Sequence, residues 1–192
     1  MSSSGNSTLK SVLMVVVVFV VAVGGVLLGM RLRDNAGAEP QMTAEDSNAP
    51  TSLLKVGEVF PKAQVIDEGG LTTTTDDIVG GKGAVVLLME LGCPPCKEMS
   101  EKWQTAINSG EAKEIPLYGV TINLPVNIRP YRLKHNLTFP IYSDSVNFFM
   151  DSMLVENYPL QVVVGKSGTV QSYTFDSNEK LDFEMLRTQL AR

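Results

Sequence analysis

AVVLLMELGCPPCKEM, residues 84–99, joins three kinds of sequence within sixteen positions. Ala84–Met89 is continuously apolar, as expected of a central strand buried on both faces. Lys97–Ser109 follows with Met99, Trp103, Ala106 and Ile107 on one stripe, and Gly110 supplies a helix stop. Between the strand and the helix stand Cys93 and Cys96, the only two cysteines of the chain. A buried strand that ends in C-x-x-C at the mouth of a helix suits thiol–disulfide chemistry. Unpaired N–H groups and the positive end of the dipole stabilise a thiolate at a helix N-terminus, and Cys93 is placed to feel them. Pro94 and Pro95 open the helix, and Pro94 suits its first position because no N–H is needed there.

Other uses of the pair are weaker. A structural disulfide across so short a loop constrains the unfolded chain little. A structural zinc site needs about four Cys or His ligands, and the chain has two cysteines and one histidine. Covalent haem attachment requires C-x-x-C-H, whereas Lys97 follows Cys96.

Working outward, Ser11–Met30 is an apolar stretch without a charge, of about the twenty-residue length that crosses a bilayer. It has no polar face. Ala36-Gly37-Ala38 offers a small-x-small cleavage site, but the stretch exceeds a signal-peptide core and RLRD intervenes, so an uncleaved anchor is expected. The expected organisation is a short segment 1–10, a transmembrane anchor 11–30, a linker 31–50 and a globular domain 51–192. Lys10 on one side and Arg31 and Arg33 on the other do not choose an orientation. An N-terminal anchor ahead of a whole domain usually exports it, so the domain is expected outside the cytoplasmic membrane. Beyond Pro50, thirteen Lys and Arg stand against seventeen Asp and Glu. That balance lacks the basic footprint of a nucleic-acid partner.

Within the domain, Ala63–Ile66 and Leu71–Thr75 are expected strands around the turn Asp67–Gly70. Thr75 or Asp76 is the expected cap of a short helix into Val79, which makes Asp76 and Asp77 helix-cap residues and not a catalytic dyad. Leu117–Ile122 is a second buried strand, Ile128–His135 and Ser145–Met153 are helical, and Phe139–Tyr142 is a short extended piece. Gln161–Val164 and Thr169–Phe175 form a hairpin across Gly165–Gly168, and Glu179–Leu190 is a closing helix. This order implies an α/β fold with a mixed central sheet flanked by helices.

From Leu54 onward the chain resembles the thioredoxin superfamily, most closely its membrane-anchored TlpA-like and redoxin members. The carriers are KVGEVFP (55–61), IDEGGLTTTT (66–75) before DDIVGGKG (76–83), AVVLLMELGCPPCKEM, LKHNLTFPIYSD (133–144) and NYPLQVVVGKSGTV (157–170). The resemblance implies a thioredoxin-like fold and a protein thiol–disulfide oxidoreductase, with Cys93 as the attacking and Cys96 as the resolving cysteine. It also implies that Pro159, in Tyr158-Pro159-Leu160, is a cis-proline opposite the pair. Such a bond exposes the backbone of Tyr158 to an extended substrate. Two departures stand out: Gly92 replaces an aromatic residue before the first cysteine, and Leu87 occupies the place of a buried acid. Glu90 and Glu98 are the nearby carboxylates that could transfer protons instead.

The implied partners are protein disulfides, reduced for example in cytochrome c maturation, and a membrane thiol that donates electrons. Metal, nucleotide and flavin are not required. The same motif also serves oxidants that form disulfides. A thiol peroxidase needs a Pro-x-x-x-Thr/Ser-x-x-Cys setting, where this chain has Val86 and Glu90. Copper delivery would use soft thiolates with His135, which lies in a charged helix end where solvation is the plainer expectation.

Overall fold

The computed structural model describes residues 52–192, so the anchor and linker expected over 1–50 lie outside the described residues. Among the described residues no helix is long and apolar enough to cross a membrane.

The fold is organised by a central strand, β3 (Ala84–Met89), buried at all six positions. Its alternate side chains enter two different cores. Val85, Leu87 and Met89 pack with Cys96, Met99, Trp103 and Ala106 on one face. Ala84, Val86 and Leu88 pack with Phe60, Val65, Val79, Phe149 and Val162 on the other. This two-residue alternation explains why a run without polar residues is a strand covered on both sides.

Around β3 lie β1 (Gln64–Ile66), β2 (Thr72–Thr74), β4 (Leu117–Thr121), β5 (Ile141–Ser143), β6 (Leu160–Val164) and β7 (Val170–Thr174). The sheet order is β2-β1-β5-β4-β3-β6-β7. β3, β4 and β5 run parallel to one another in the middle, β6 joins β3 and β1 joins β5 antiparallel, and β6–β7 and β1–β2 are antiparallel pairs at the edges. The helices are α1 (Thr75–Val79), α2 (Pro94–Ser109), α3 (Ile128–Lys134, entered through a 3-10 turn Pro125–Asn127), α4 (Phe148–Asp151) and α5 (Phe183–Leu190). This is a thioredoxin-like arrangement, a mixed sheet with flanking helices.

Several boundaries differ from the sequence expectation, each for a local reason. Thr74, not Thr75 or Asp76, caps α1; its hydroxyl faces the Asp77 N–H while the Asp77 carboxylate accepts from the Thr74 N–H, closing a capping box. The helix expected over Ser145–Met153 shrinks to the four residues of α4. The Asp144 carboxylate accepts from the Phe148 and Phe149 N–H groups, and left-handed Asn147 and Leu154 bracket the turn. α5 begins at Phe183 and not near Glu179, because the Asp182 carboxylate accepts from the Met185 N–H and starts the helix there. The extended piece expected over Phe139–Tyr142 is the interior strand Ile141–Ser143. Gly119 permits this, since a Cβ there would lie 2.9 Å from the Ile141 side chain on the adjacent strand.

Gly83, the residue that turns the chain into β3, is buried at φ +72°. A Cβ at Gly83 would stand 2.6 Å from the Leu190 carbonyl oxygen and 3.0 Å from that of Val164, both backbone atoms that cannot swing away. Gly83→Ala is therefore expected to cost roughly 2–4 kcal/mol. Gly70→Ala, at φ +90° with open space around it, is expected to cost about 1 kcal/mol from backbone conformation alone. Urea unfolding of the two variants checks the difference.

Candidate active site

Cys93 is the N-cap of α2 and Pro94 its first residue, so the cysteine pair sits where the rigid strand β3 hands over to the helix. The Lys97 N–H donates to the Cys93 carbonyl at 3.1 Å, closing the first helical turn. The Cys96 N–H points at Cys93 Sγ at 3.3 Å. Proline at the next two positions leaves this N–H as the first of the helix able to meet the sulfur. Cys93 and Cys96 are joined as a disulfide with Cα atoms 5.3 Å apart. Their environments differ: Cys93 is half-buried, whereas Cys96 is 1% exposed and packed into the core. One sulfur is within reach of a partner and the other is screened.

Gly92 has φ +104°, in the region that favours glycine, with nothing within 4 Å of a would-be Cβ. The absence of an aromatic side chain before Cys93 thus follows from the turn itself, and it leaves the approach to the sulfur open. The Leu91 N–H donates to the Asn123 side-chain oxygen at 2.7 Å, fixing this turn to the segment after β4.

Facing the pair, the Tyr158–Pro159 bond is cis and the Tyr158 carbonyl oxygen lies 3.8 Å from Cys93 Sγ. A disulfide sulfur carries no proton, so this is a packing contact. The Tyr158 hydroxyl is buried without a hydrogen-bond partner among the described residues. Burial, followed by the charges of Asp144, Glu90 and Asp151, pushes its pKa up to about 12.

Glu90 and Glu98 are both exposed, and no hydrogen bond among the described residues joins either carboxylate to either cysteine. Glu90 contributes its carbonyl oxygen, which accepts from the Cys93 N–H at 3.3 Å. Two polar side chains outside the sequence expectation sit behind the pair. Ser100 is buried and donates to the Cys96 carbonyl at 2.8 Å. Gln161, opposite Leu87 in the β3–β6 register, accepts from the Trp103 indole N–H at 2.8 Å. A lone glutamine in the strand Leu160-Gln161-Val162-Val163-Val164 was the signal available for the second. For Ser100 the signal was its place one helical turn after Cys96.

His135 is not solvated, contrary to the sequence expectation. Its side chain is 11% exposed, its ring centroid lies 4.5 Å from that of Tyr131, and Nδ1 is 3.5 Å from Glu101. A hydrogen bond from Lys97 holds the Glu101 carboxyl below its usual pKa. Among the described residues no three His, Cys, Asp or Glu side chains gather as a metal site.

A vicinal cysteine pair at a helix N-terminus, with one exposed and one screened sulfur on this fold, defines a thiol-based redox enzyme of the thioredoxin-like class. Residues 56–173 match the AhpC/TSA family, and the chain belongs to it. No curated protein matches the sequence. Among solved structures, a thiol:disulfide interchange protein from a Bacteroides species is 19% identical, with 70% of this chain and 88% of that one covered and a TM-score of 0.57. The thioredoxin domain of a thiol-disulfide oxidoreductase from Bacteroides vulgatus is also 19% identical, covering 70% and 95% with a TM-score of 0.55. A thiol peroxidase from Chromobacterium violaceum is 11% identical, covering 71% and 85% with a TM-score of 0.56. At such identities the likeness is one of fold.

The raised pKa of Tyr158 has a definite sign for stability. Its proton is held more tightly in the folded chain, so its contribution to stability is fully present below about pH 10. Stability is then lost as pH rises from about 10 towards 12. Tyr158→Phe is expected to leave stability at pH 7 unchanged or slightly raised, since it deletes an unpartnered buried hydroxyl. The same substitution should flatten the alkaline decline. Thermal unfolding of both proteins between pH 8 and 12 reads out both effects.

Proposed function

We propose that this protein is a thiol–disulfide oxidoreductase, tethered to the cytoplasmic membrane with its domain outside the cytoplasm, which reduces disulfides of partner proteins. The observation that carries the reading is the asymmetry of the pair: Cys93 half-buried at the helix N-terminus, Cys96 screened behind it. The names of the Bacteroides neighbours, thiol:disulfide interchange protein and thiol-disulfide oxidoreductase, agree with it. Tethering rests on the uncharged stretch 11–30.

In the reduced enzyme the Cys96 N–H and the helix dipole favour the Cys93 thiolate. That thiolate attacks one sulfur of a partner disulfide; an S–S bond forms to Cys93, and the partner's other sulfur leaves as a thiolate and takes a proton from water. Cys96 then loses its proton, and its thiolate attacks Cys93 Sγ. The mixed disulfide breaks, the partner's second sulfur leaves as a thiolate and takes a proton from water, and Cys93–Cys96 closes. The partner gains two electrons and two protons, and the enzyme gives up the same. A membrane thiol donor, whose two thiols close to a disulfide, restores the dithiol by the same two exchanges in reverse. An extended partner strand can pair with the backbone of Tyr158 beside the reacting sulfur. Cytochrome c maturation is one setting that consumes such a reductant, a placement supported by the resemblance to TlpA-like proteins.

Family membership and the Chromobacterium neighbour favour one second reading, a thiol peroxidase. There Cys93 would be oxidised by peroxide to a sulfenic acid, which Cys96 would condense to the disulfide with loss of water. Val86 and Glu90 stand where the peroxidatic motif needs Pro and Thr or Ser, which speaks against it.

Cys93→Ser is expected to abolish insulin-disulfide reduction, and Cys96→Ser to accumulate a covalent partner complex visible on a non-reducing gel. Turnover by Cys93→Ser with no trapping by Cys96→Ser would overturn the roles, and rapid dithiothreitol-driven peroxide consumption would favour the second reading. Equilibration of the wild-type pair against thiol buffers is expected near the thioredoxin potential, about −270 mV. A value near about −120 mV would instead mark a disulfide-forming oxidant.

A further inference from the structure

The outward face of α3 and its 3-10 entry is unusual for a surface helix. Ile128, Tyr131, Arg132 and His135 point inward or lie half-buried. At helical spacing on the opposite side stand Val126, Pro130 and Leu133, flanked by Arg129 and Lys134, all exposed. Val126 is 72% and Leu133 69% exposed, and Leu124 just before them is 58% exposed. An outward helix face is normally polar, so an apolar stripe between two cations calls for a partner of matching chemistry.

Charge points the same way. The chain is acidic overall, yet no Asp or Glu occurs between Glu114 and Asp144, where Arg129, Arg132 and Lys134 lie. Arg132 is engaged by Glu68, whereas Arg129 and Lys134 make no ion pair among the described residues. The patch also adjoins the active site, since Asn123 immediately before it accepts from the Leu91 N–H of the cysteine-bearing turn.

We propose that this face of α3 rests on an anionic bilayer surface, with Leu124, Val126 and Leu133 at the headgroup boundary and Arg129 and Lys134 on lipid phosphates. The proposal rests on the tethered reading above and adds to it an orientation that presents Cys93 to thiols at the membrane surface. Apolar side chains beside cations are the composition that binds such an interface. The sequence between the apolar stretch and the domain, residues 31–50, spans at most about 70 Å when fully extended. That bound keeps the domain near one bilayer, so a weak surface contact is reinforced by high local concentration.

Amide hydrogen exchange on the full-length protein tests this, with vesicles of phosphatidylcholine alone or of phosphatidylcholine and phosphatidylglycerol. Exchange across 126–134 is expected to slow at least about fivefold in the anionic vesicles relative to the neutral ones. Arg129→Glu with Lys134→Glu, and separately Val126→Ser with Leu133→Ser, should each abolish the difference. These side chains are exposed, and unchanged Trp103 fluorescence verifies the fold of each variant. Equal exchange in both vesicle types overturns the proposal. So does slowing without lipid that grows with protein concentration, which would mark a second copy as the occupant. Alkaline carbonate extraction separates the two readings. A chain that resists extraction but shows no slowing refutes the surface contact alone; a chain that is extracted yet slows on anionic vesicles refutes the anchor alone.

Discussion

The docking of α2 onto the sheet is the constraint on which the remaining structure depends. Cys96, Met99, Trp103 and Ala106 form the inward stripe of that helix, and they meet Val85, Leu87, Met89 and Val163 on the sheet. Trp103 is fully buried, and among the described residues its indole N–H is satisfied through the Gln161 side chain. That bond ties the helix to β6, the strand that begins immediately after Pro159. The helix therefore cannot shift along its axis without leaving a buried donor unpaired, at a cost of about 1–3 kcal/mol. Through this linkage Cys93, at the start of α2, and Tyr158, just ahead of β6, are held on the same side of the molecule.

The chemistry follows from what that placement does to two identical side chains. Cys93 meets the N–H groups at a helix start and the solvent; Cys96, three residues on, faces the core. A thiolate is favoured where N–H groups and solvent reach it and disfavoured where apolar packing excludes both. Opposite them, Tyr158 brings a backbone carbonyl to the reactive sulfur and keeps its hydroxyl in an apolar setting among Asp144, Glu90 and Asp151. The surroundings of the pair hold two buried polar side chains, Ser100 and Gln161, and both serve main-chain or indole groups. Both are neutral hydrogen-bonding groups, and the buried carboxylate near Tyr158, Asp144, is taken up by the Phe148 and Phe149 N–H groups.

Much of the fold was legible because β3 is an unbroken apolar run and α2 carries one apolar stripe at helical spacing. A six-residue apolar run is of strand length and too short for an ordinary buried helix, so it reads as a strand covered on both faces. The hairpins were legible through their turns, Asp67–Gly70 and Gly165–Gly168. Less was legible where a local hydrogen bond overrides a hydrophobic pattern. Ser145–Met153 has the spacing of a helix, yet the Asp144 carboxylate and left-handed Asn147 confine it to four residues. Ile141–Ser143 is too short to identify itself as an interior strand, because its partner β4 is distant in sequence. His135 could not be placed from its charged neighbours, since Tyr131 and Glu101 reach it from two different helices.

The sequence by itself determined the reactive pair, its position between a buried strand and a helix, and the order of elements around it. These are properties of neighbouring residues, fixed by side-chain volume, by proline's missing donor and by periodicity. Tertiary structure alone decided which sulfur is exposed, what lies across from it, and which polar groups stand behind it. Those relations join residues such as Trp103 with Gln161 and Cys93 with Tyr158. Each pair is separated by more than fifty positions and meets only because the sheet places β6 beside β3.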